Sequence, residues 1–222
     1  MKKILVIAAH PDDEVLGCGG TIAKHISKKD KVYVIFMANG VDSRNSPSKK
    51  DLKDRILSSK LAKNILGITS SYHLNFPDNK MDSIPILNVI QKLEEIIKKI
   101  NPEIVYTHHE GDLNIDHKIT NAAVMTACRP LPNSSIKQIY GFEVLSSTEW
   151  STQIKSSFKP TFYNDITKYK KKKIRAIKAY GLEMRNKPHS RSIEHLEILA
   201  QHRGYSVGVE FAEAFEVYRI IN

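Results

Sequence analysis

The stretch ILVIAAHPDDE at residues 4–14 decides the fold of this 222-residue chain. Six consecutive apolar residues, 4–9, predict a strand buried on both faces, as is typical of a parallel sheet. An imidazole and three carboxylates then fall within residues 10–14. A buried strand that ends in so much charge predicts a cation or a reaction at that edge of the sheet.

Apolar runs of strand length alternate with amphipathic stretches of helix length along the rest of the chain. This alternation predicts an α/β, Rossmann-like domain: a mostly parallel β-sheet flanked by helices, with a less regular C-terminal extension, over residues 1–222. The further predicted strands are 32–38, 72–74, 103–107, 139–144 and 215–220. The predicted helices are 17–27, 47–66 with Gly67 as its stop, one opened by Pro85, an Ala-rich one ending at Ala127, a basic one around 168–175, and 193–203.

Composition and targeting signals predict a cytoplasmic protein. With 41% apolar and 26% charged residues, the chain can bury one core. We find no signal peptide and no apolar run near the ~20 residues of a membrane span, so membrane insertion is not expected. Cys18 and Cys128 are interpreted as two buried thiols without a disulfide, with a catalytic Cys18 as the alternative.

The chain carries 34 basic against 24 acidic residues, a net charge of +10, and part of the excess lies at residues 168–175. Charge alone would suit nucleic acid or an anionic substrate. The segment has helical spacing, however, which predicts that most of its lysines form a solvated face. No nucleic-acid module is recognised, so no nucleic-acid partner is expected. The oligomeric state stays open, a homo-oligomer included.

The charged residues after the first strand match a metal site. A catalytic zinc usually takes three protein ligands and leaves one position for water. His10 and Asp13 supply two ligands, and the polar loop at 108–117 offers His117 as the third. Asp12 then remains beside the water, in the position of a general base.

Each charged segment also has a simpler interpretation. The acids at 12–14 could complement a helix dipole, and Asp116 could be an ordinary N-cap. Ligands of open parallel sheets bind beyond the carboxyl ends of the strands, and the loops after Ala9, Ala38 and Thr107 all reach that edge. Two charged clusters at one edge favour a functional site.

A dinucleotide site is not predicted. The first strand is not followed by G-x-G-x-x-G, and Gly17, Gly19 and Gly20 come too late, after acids that would repel phosphate. A nucleotide- or nucleic-acid-binding α/β module therefore remains only a distant alternative.

The chain has the string HPDDE at 10–14, followed by Gly17 and Gly20, and the later pair Asp116 and His117. Together with the order of strands and helices, these motifs resemble the PIG-L/LmbE family of metal-dependent N-deacetylases, which act on N-acetylated sugars. A fixed five-residue string makes this resemblance specific.

The resemblance implies that His10, Asp13 and His117 bind the metal, which is zinc with ferrous iron or another divalent ion as the alternative. It implies that Asp12 is the general base, so the metal polarises the acetyl carbonyl and Asp12 takes the proton of the attacking water. The expected substrate is a small N-acetylated amino sugar or its conjugate. The alternative is another amide or ester.

One position departs from the family. Many members have a histidine three residues before the last ligand, and here that position is Asn114. Asparagine can donate a hydrogen bond to an oxyanion but cannot act as a proton donor at neutral pH. Asn114 and Asp116 are counted with Asp12 as catalytic residues, and the general acid is left among Asp12, His108 and His109.

Candidate substrate contacts lie on three further segments. Asp42 and Arg44, in a loop that resembles the family's substrate loop, suit sugar hydroxyls or a phosphate, although a solvated turn explains them equally well. His109 and Arg191 are the other candidates. Trp150, the one tryptophan, either stacks on a sugar face or merely packs.

Overall fold

A computed structural model describes residues 1–43, 46–152 and 156–222. Within these ranges, seven strands form one sheet in the order β3-β2-β1-β4-β5-β7-β6. Neighbouring strands from β3 to β5 are parallel, whereas β7 is antiparallel to both β5 and β6. The strands are β1 (Lys3–Ala8), β2 (Lys31–Ala38), β3 (Ser70–Phe76), β4 (Ile104–His108), β5 (Gln138–Phe142), β6 (Phe162–Asp165) and β7 (Ala212–Ile220).

Helices cover both faces of the sheet. They are α1 (Asp13–Ser27), α2 (Lys49–Leu66), α3 (Ile86–Ile100), α4 (Ile115–Ala127), α5 (Lys170–Lys178) and α6 (Ile193–Tyr205). Because side chains alternate along a strand, β1 feeds two cores. Ile4 and Val6 pack in the core that includes residues of α1, α2, α5 and α6, and Leu5 and Ile7 pack in the core with α3 and α4. The predicted mostly parallel α/β sheet is confirmed.

The sequence prediction missed one strand, β6, and made two others, β3 and β7, too short. β6 (Phe162–Asp165) is short and mostly half-buried, so it lacks the long apolar run that marks the parallel strands. Its partner β7 begins at Ala212, because Ala212–Phe215 pairs with β6. Residues 212–214 were therefore not predicted as strand.

Helix α1 begins at Asp13, earlier than the predicted start at residue 17. The carbonyl of Asp12 accepts hydrogen bonds from the backbone N–H groups of Val15 and Leu16 at 3.0 and 2.9 Å. The helix kinks at Cys18, where φ is −145°. Three buried acidic residues, Asp12, Asp13 and Glu14, and a kink hide the periodicity from which a helix start is predicted.

The basic helix α5 is not uniformly solvated. Lys173 is buried, and its Nζ lies 2.6 Å from Oε1 of the buried Glu213. Lys171 and Lys178 are exposed, as the helical spacing predicts. Both cysteines are buried and free, as predicted. Among the described residues, we find no helix with the length and apolar character required to cross a membrane.

Candidate active site

A polar cavity of about 230 Å³ opens at the carboxyl ends of the parallel strands. Loops after four neighbouring strands, β1 to β4, contribute to it, as expected for a ligand site in an open parallel sheet. Further side chains come from α2 and from the loops after β5 and α5. The lining residues are His10, Asp12, Asp13, Gly40, Ser43, Arg55, Asp78, Asn79, Asn114, His117, Ser146, Ser147, Glu183 and Arg191.

His10, Asp13 and His117 meet at the floor of this cavity. Their ligand atoms lie within 4.8 Å of one another, and all three side chains are buried. Oδ2 of Asp13 is 3.4 Å from Nδ1 of His10 and 3.3 Å from Nε2 of His117. Two imidazole nitrogens and one carboxylate oxygen at such distances have the donor chemistry of a divalent transition-metal site with an open position.

The second nitrogen of each imidazole faces another carboxylate. Nε2 of His10 lies 3.1 Å from Oδ2 of Asp116 and 3.1 Å from Oδ1 of Asp78. Nδ1 of His117 lies 3.1 Å from Oδ1 of Asp112. A metal-ligating histidine almost always donates its other N–H in this way, which fixes its tautomer and orientation. The arrangement therefore fits a metal at the Asp13 side of both rings.

Two other groups of buried side chains have comparable spacing, namely His108, Asp112 and His117, and His10, Asp78 and Asp116. Neither group lies wholly on the cavity, whereas the group around Asp13 does. Asp116 also already accepts hydrogen bonds from the backbone N–H groups of Asn79 and Met81, at 2.7 and 3.1 Å. We therefore assign Asp112, Asp116 and Asp78 as outer carboxylates that orient the two histidines.

The charges around Asp13 favour a cation. Burial opposes ionisation, yet the His117 and His10 imidazoles hold the pKa of Asp13 well below its usual range. For His117, burial lowers the pKa, but Asp13 and Asp112 outweigh it and raise the value to about 9. The carboxylates around His117 thus favour positive charge at this position.

Asp12 lines the cavity next to His10, Asp13 and His117. Its backbone φ of 128° is uncommon for a residue with a side chain, and such outliers cluster at functional sites. Glu14 supports this conformation, because its Oε2 accepts the N–H of Asp12 at 2.9 Å and its Oε1 accepts the Tyr180 hydroxyl at 2.7 Å. Asp12 and Asp13 thus have different partners: Asp12 contacts two arginines, and Asp13 contacts His10 and His117.

Two arginines flank the Asp12 carboxylate. Nη1 of Arg191 lies 3.0 Å from Oδ2, and Nη2 of Arg55 lies 3.5 Å from Oδ1. Burial raises the pKa of Asp12, while Arg55 and Arg191 counteract this effect. The carboxylate is thus held in one orientation beside the floor of the cavity, as a general base requires.

Asn114 lines the cavity at the start of α4. Its Oδ1 accepts the N–H groups of Asp116 and His117 at 2.8 and 3.4 Å, and its Nδ2 donates to Oδ1 of Asn79 at 2.9 Å. The side chain is therefore an N-cap that fixes the helix carrying His117. This contact gives Asn114 a positioning role in addition to any contact with substrate.

The neighbouring histidines do not face the cavity. Nε2 of His108 accepts the backbone N–H of Ala9 at 2.8 Å, and burial lowers the pKa of His108 well below its usual value. His109 uses one ring nitrogen on Glu216, at 2.7 Å, and the other on the carbonyl of Ser156, at 2.6 Å. His109 thus does not line the cavity, contrary to the expectation from the sequence that it contacts substrate.

Of the remaining candidate substrate contacts, one lines the cavity and one does not. Arg191 lines the cavity. Asp42 is exposed and accepts a hydrogen bond from Asn39 at 2.7 Å, while its neighbour Ser43 reaches the cavity. Arg44 lies outside the described residues.

Sequence reasoning missed Arg55, Asp78, Asp112 and Glu183. Arg55 sits in a charged helix, where its burial leaves no signal in the sequence. Asp78 had a usable signal, because the turn at 77–79 follows a strand at the same sheet edge as His10. Asp112 lies within the polar loop that supplied His117, and it was not singled out there.

The fold and this geometry define a class of protein: an α/β enzyme with a buried two-histidine, one-aspartate site beside a further buried carboxylate, that of Asp12. Residues 5–128 match the PIG-L family, described as GlcNAc-PI de-N-acetylase. The chain is also 35% identical over 168 residues to the uncharacterized deacetylase YaiS of Escherichia coli, covering 73% of this chain and 85% of YaiS. The chain therefore belongs to the PIG-L family, whose deacetylase members are metal-dependent hydrolases of N-acetyl amide bonds.

Solved structures share the fold at lower identity. N,N'-diacetylchitobiose deacetylase from Pyrococcus horikoshii superposes with a TM-score of 0.80 at 24% identity, over 98% of this chain and 84% of that one. GalB, the 4-carboxy-2-hydroxymuconate hydratase from Pseudomonas putida, gives 0.79 at 22% identity, over 100% and 99%. The same fold thus carries two reaction types, so function is argued from the site.

Proposed function

We propose that the protein hydrolyses the N-acetyl amide of an amino sugar or its conjugate, with a divalent metal held by His10, Asp13 and His117. The observation that carries this proposal is the convergence of these three residues with Asp12 in one cavity. When bound, the metal supplies Lewis acidity, which polarises the acyl carbonyl and acidifies the attacking water.

The chain's own residues perform the proton transfers. Asp12 accepts a proton as water attacks the carbonyl carbon, and Arg191 and Arg55 keep the Asp12 carboxylate aimed at this point. The C–N bond then breaks, and the products are acetate and a free amine. Each turnover consumes one water molecule.

The leaving amine needs a proton, and we assign its delivery to Asp12. His108 is buried with Nε2 engaged, and both ring nitrogens of His109 are engaged outside the cavity. Asn114 cannot supply a proton. Asp12 holds the proton taken from water and lies in the cavity, so one carboxylate serves as base and then as acid.

An amino sugar suits the cavity because its wall is polar. Ser43, Asn79, Ser146 and Arg191 offer hydrogen-bonding groups around the metal ligands. The similar structure from Pyrococcus horikoshii is named for an N-acetylated disaccharide, and the family description names GlcNAc-PI. Another amide or an ester is the second candidate, because the ligand set determines the chemistry better than the substrate.

Zinc is the proposed metal and the cytoplasm the proposed location. Two imidazoles and a carboxylate form a common catalytic zinc set, although the same set also binds ferrous iron. Two free, buried thiols are consistent with a reducing compartment.

The test is acetate release from a panel of N-acetylated amino sugars and sugar conjugates, with zinc- and iron-loaded enzyme compared in parallel. We expect acetate and amine in equal amounts, abolition by a strong chelator, and recovery on adding the metal back. Full activity in the chelator would refute the metal role. Cleavage of esters or other amides without any acetate from the panel would refute the substrate class.

A further inference from the structure

A groove adjoins the active-site cavity and contains the one tryptophan of the chain. Trp150 is 49% exposed, which is high for the largest apolar side chain. The His189 ring meets it edge-on, with the ring centroids 5.9 Å apart. Pro188 and Ile198, the latter 60% exposed, add further apolar surface. The groove has a volume of about 530 Å³.

This groove is continuous with the catalytic cavity. A smaller depression between them shares Ser146, Glu183 and Arg191 with the cavity, and Trp150 and His189 with the groove. A molecule that occupies the cavity can therefore extend past Arg191 onto the Trp150 ring without leaving the protein surface.

Hydrogen bonds fix the wall between cavity and groove. Arg191 donates from Nε to Oγ of Ser146 at 2.9 Å, while its Nη1 contacts Asp12. The backbone N–H of Ser146 donates to Oγ of Ser190 at 3.2 Å and to Oε1 of Glu149 at 2.7 Å. The loop that carries Trp150 is thereby attached to the segment that reaches Asp12. These contacts fix the position of the Trp150 ring relative to the Asp12 carboxylate.

The volumes of the cavity and the groove indicate different roles for them. Ligand pockets typically span ~300–1,000 Å³, and the cavity of about 230 Å³ falls below that range. The cavity thus suits a single N-acetylated ring. The rest of a larger substrate must lie outside it, and the groove is a space that adjoins the cavity through the shared depression.

We propose that the Trp150 groove binds the second sugar ring of an N-acetylated oligosaccharide whose first ring is deacetylated in the cavity. This proposal rests on the proposed function and specifies its substrate. A pyranose ring presents C–H groups on one face, which stack on an aromatic ring, and hydroxyls at its edge. Glu149 and His189 at the groove provide polar partners for those hydroxyls.

Binding can be measured without turnover. Because Trp150 is the one tryptophan, intrinsic tryptophan fluorescence reports on this groove alone. The metal-loaded Asp12→Asn protein is titrated with N,N'-diacetylchitobiose and, separately, with N-acetylglucosamine. We expect a saturable fluorescence change with the disaccharide, and none with the monosaccharide at the same concentrations.

Kinetics of acetate release give the second readout. We expect Trp150→Ala to raise KM for the disaccharide about tenfold, the scale of one lost stacking contact, and to leave the monosaccharide kinetics unchanged. Trp150→Phe should restore most of the loss. The control is Leu131→Ala, an equally exposed apolar residue before β5, at the opposite edge of the sheet, which should change neither substrate.

The outcomes separate the two proposals. Acetate release without a fluorescence change, with disaccharide kinetics unaltered in Trp150→Ala, overturns the groove assignment and leaves the function intact. A disaccharide-specific fluorescence change in a protein whose wild type releases no acetate supports the groove and overturns the function. Absence of both overturns both.

Discussion

Nδ1 of His117 lies 3.1 Å from Oδ1 of Asp112, a fully buried carboxylate that also accepts hydrogen bonds from the hydroxyls of Ser147 and Thr148. The opposite nitrogen of the same ring faces Asp13. Asp112 is thus the residue that orients His117 towards the proposed metal, through contacts that link the loop after β5 to α4.

Asp112→Asn should weaken metal binding by about 10–100-fold, the usual effect of losing such an outer partner. The amide preserves shape but removes the charge that favours a donating Nδ1–H. Metal affinity, measured by competition with a chromogenic chelator, provides the test. Asp82→Asn, an exposed aspartate that does not line the cavity, is the control. Equal affinities in the two variants would deny Asp112 this role.

Part of this site could be predicted from the sequence. His10, Asp13 and His117 could be identified because ligand types at the ends of parallel strands converge whatever the details of packing. Arg55 and Asp112 could not, because their roles depend on which side of a helix or loop becomes buried. His109 shows the same limit: it adjoins the correct strand but points to Glu216, since neighbouring residues of a strand end face opposite ways.

The fold was predictable to the extent that apolar runs mark it. Strands β1, β2 and β4 are mostly apolar and almost wholly buried, whereas β6 is not, and its place in the sheet comes from pairing with β7. Just after the kink in α1, the backbone N–H groups of Gly20 and Thr21 donate to Glu213, 193 residues from Gly20, a contact that no local pattern can reveal.

Glu213 and Lys173 form a buried pair whose disruption should be costly. Glu213 accepts hydrogen bonds from the backbone N–H groups of Gly20 and Thr21, at 2.8 and 2.6 Å, in addition to its contact with Lys173. Glu213→Ala leaves a buried ammonium uncompensated and should lower the free energy of unfolding by about 3–5 kcal/mol.

Denaturant unfolding measures this effect. Glu95→Ala breaks an exposed pair with Lys92 and should change stability by less than about 0.5 kcal/mol. A loss in Glu213→Ala no larger than in Glu95→Ala would mean that the buried pair contributes nothing beyond a surface contact.

Gly17 follows the HPDDE string, and its role is packing. A Cβ at this position would lie 2.3 Å from Cδ2 of the fully buried Phe142, so the ring or the helix would have to shift. Gly17→Ala should therefore destabilise the fold by about 1–3 kcal/mol. Gly181→Ala, where the nearest atom is 3.4 Å away, is the matched control and should be close to neutral. Thermal unfolding of both variants decides the point, and equal melting temperatures would contradict it.

The His109–Glu216 pair predicts a pH-dependent stability. Burial lowers the pKa of His109, but the contact with Glu216 outweighs burial and raises the pKa above 6.5. The stability that protonated His109 contributes is therefore fully present below pH 6.5 and is lost as the pH rises through the folded-state pKa. Burial raises the pKa of Glu216, but the contact with His109 brings it below 4.5. The stability that ionised Glu216 contributes is therefore present above pH 4.5 and is lost as the pH falls through the folded-state pKa. Both contributions are complete together between pH 4.5 and 6.5.

Glu216→Gln should therefore destabilise the protein most near about pH 5.5 and much less near about pH 9. Urea unfolding at both pH values measures the difference from wild type. Glu210→Gln, at an exposed position, should show no such pH dependence. A difference that grows towards alkaline pH would rule out the charged pair.

The central claim is the division of labour between two adjacent carboxylates, Asp13 as metal ligand and Asp12 as general base. The direct measurement is metal content by elemental analysis together with kcat for Asp12→Asn and Asp13→Ala. Asp12→Asn should retain about one divalent ion per chain and lose roughly 10²-fold or more in kcat, whereas Asp13→Ala should lose metal and activity together. A metal-free Asp12→Asn protein, or a metal-replete Asp13→Ala protein, would contradict this assignment.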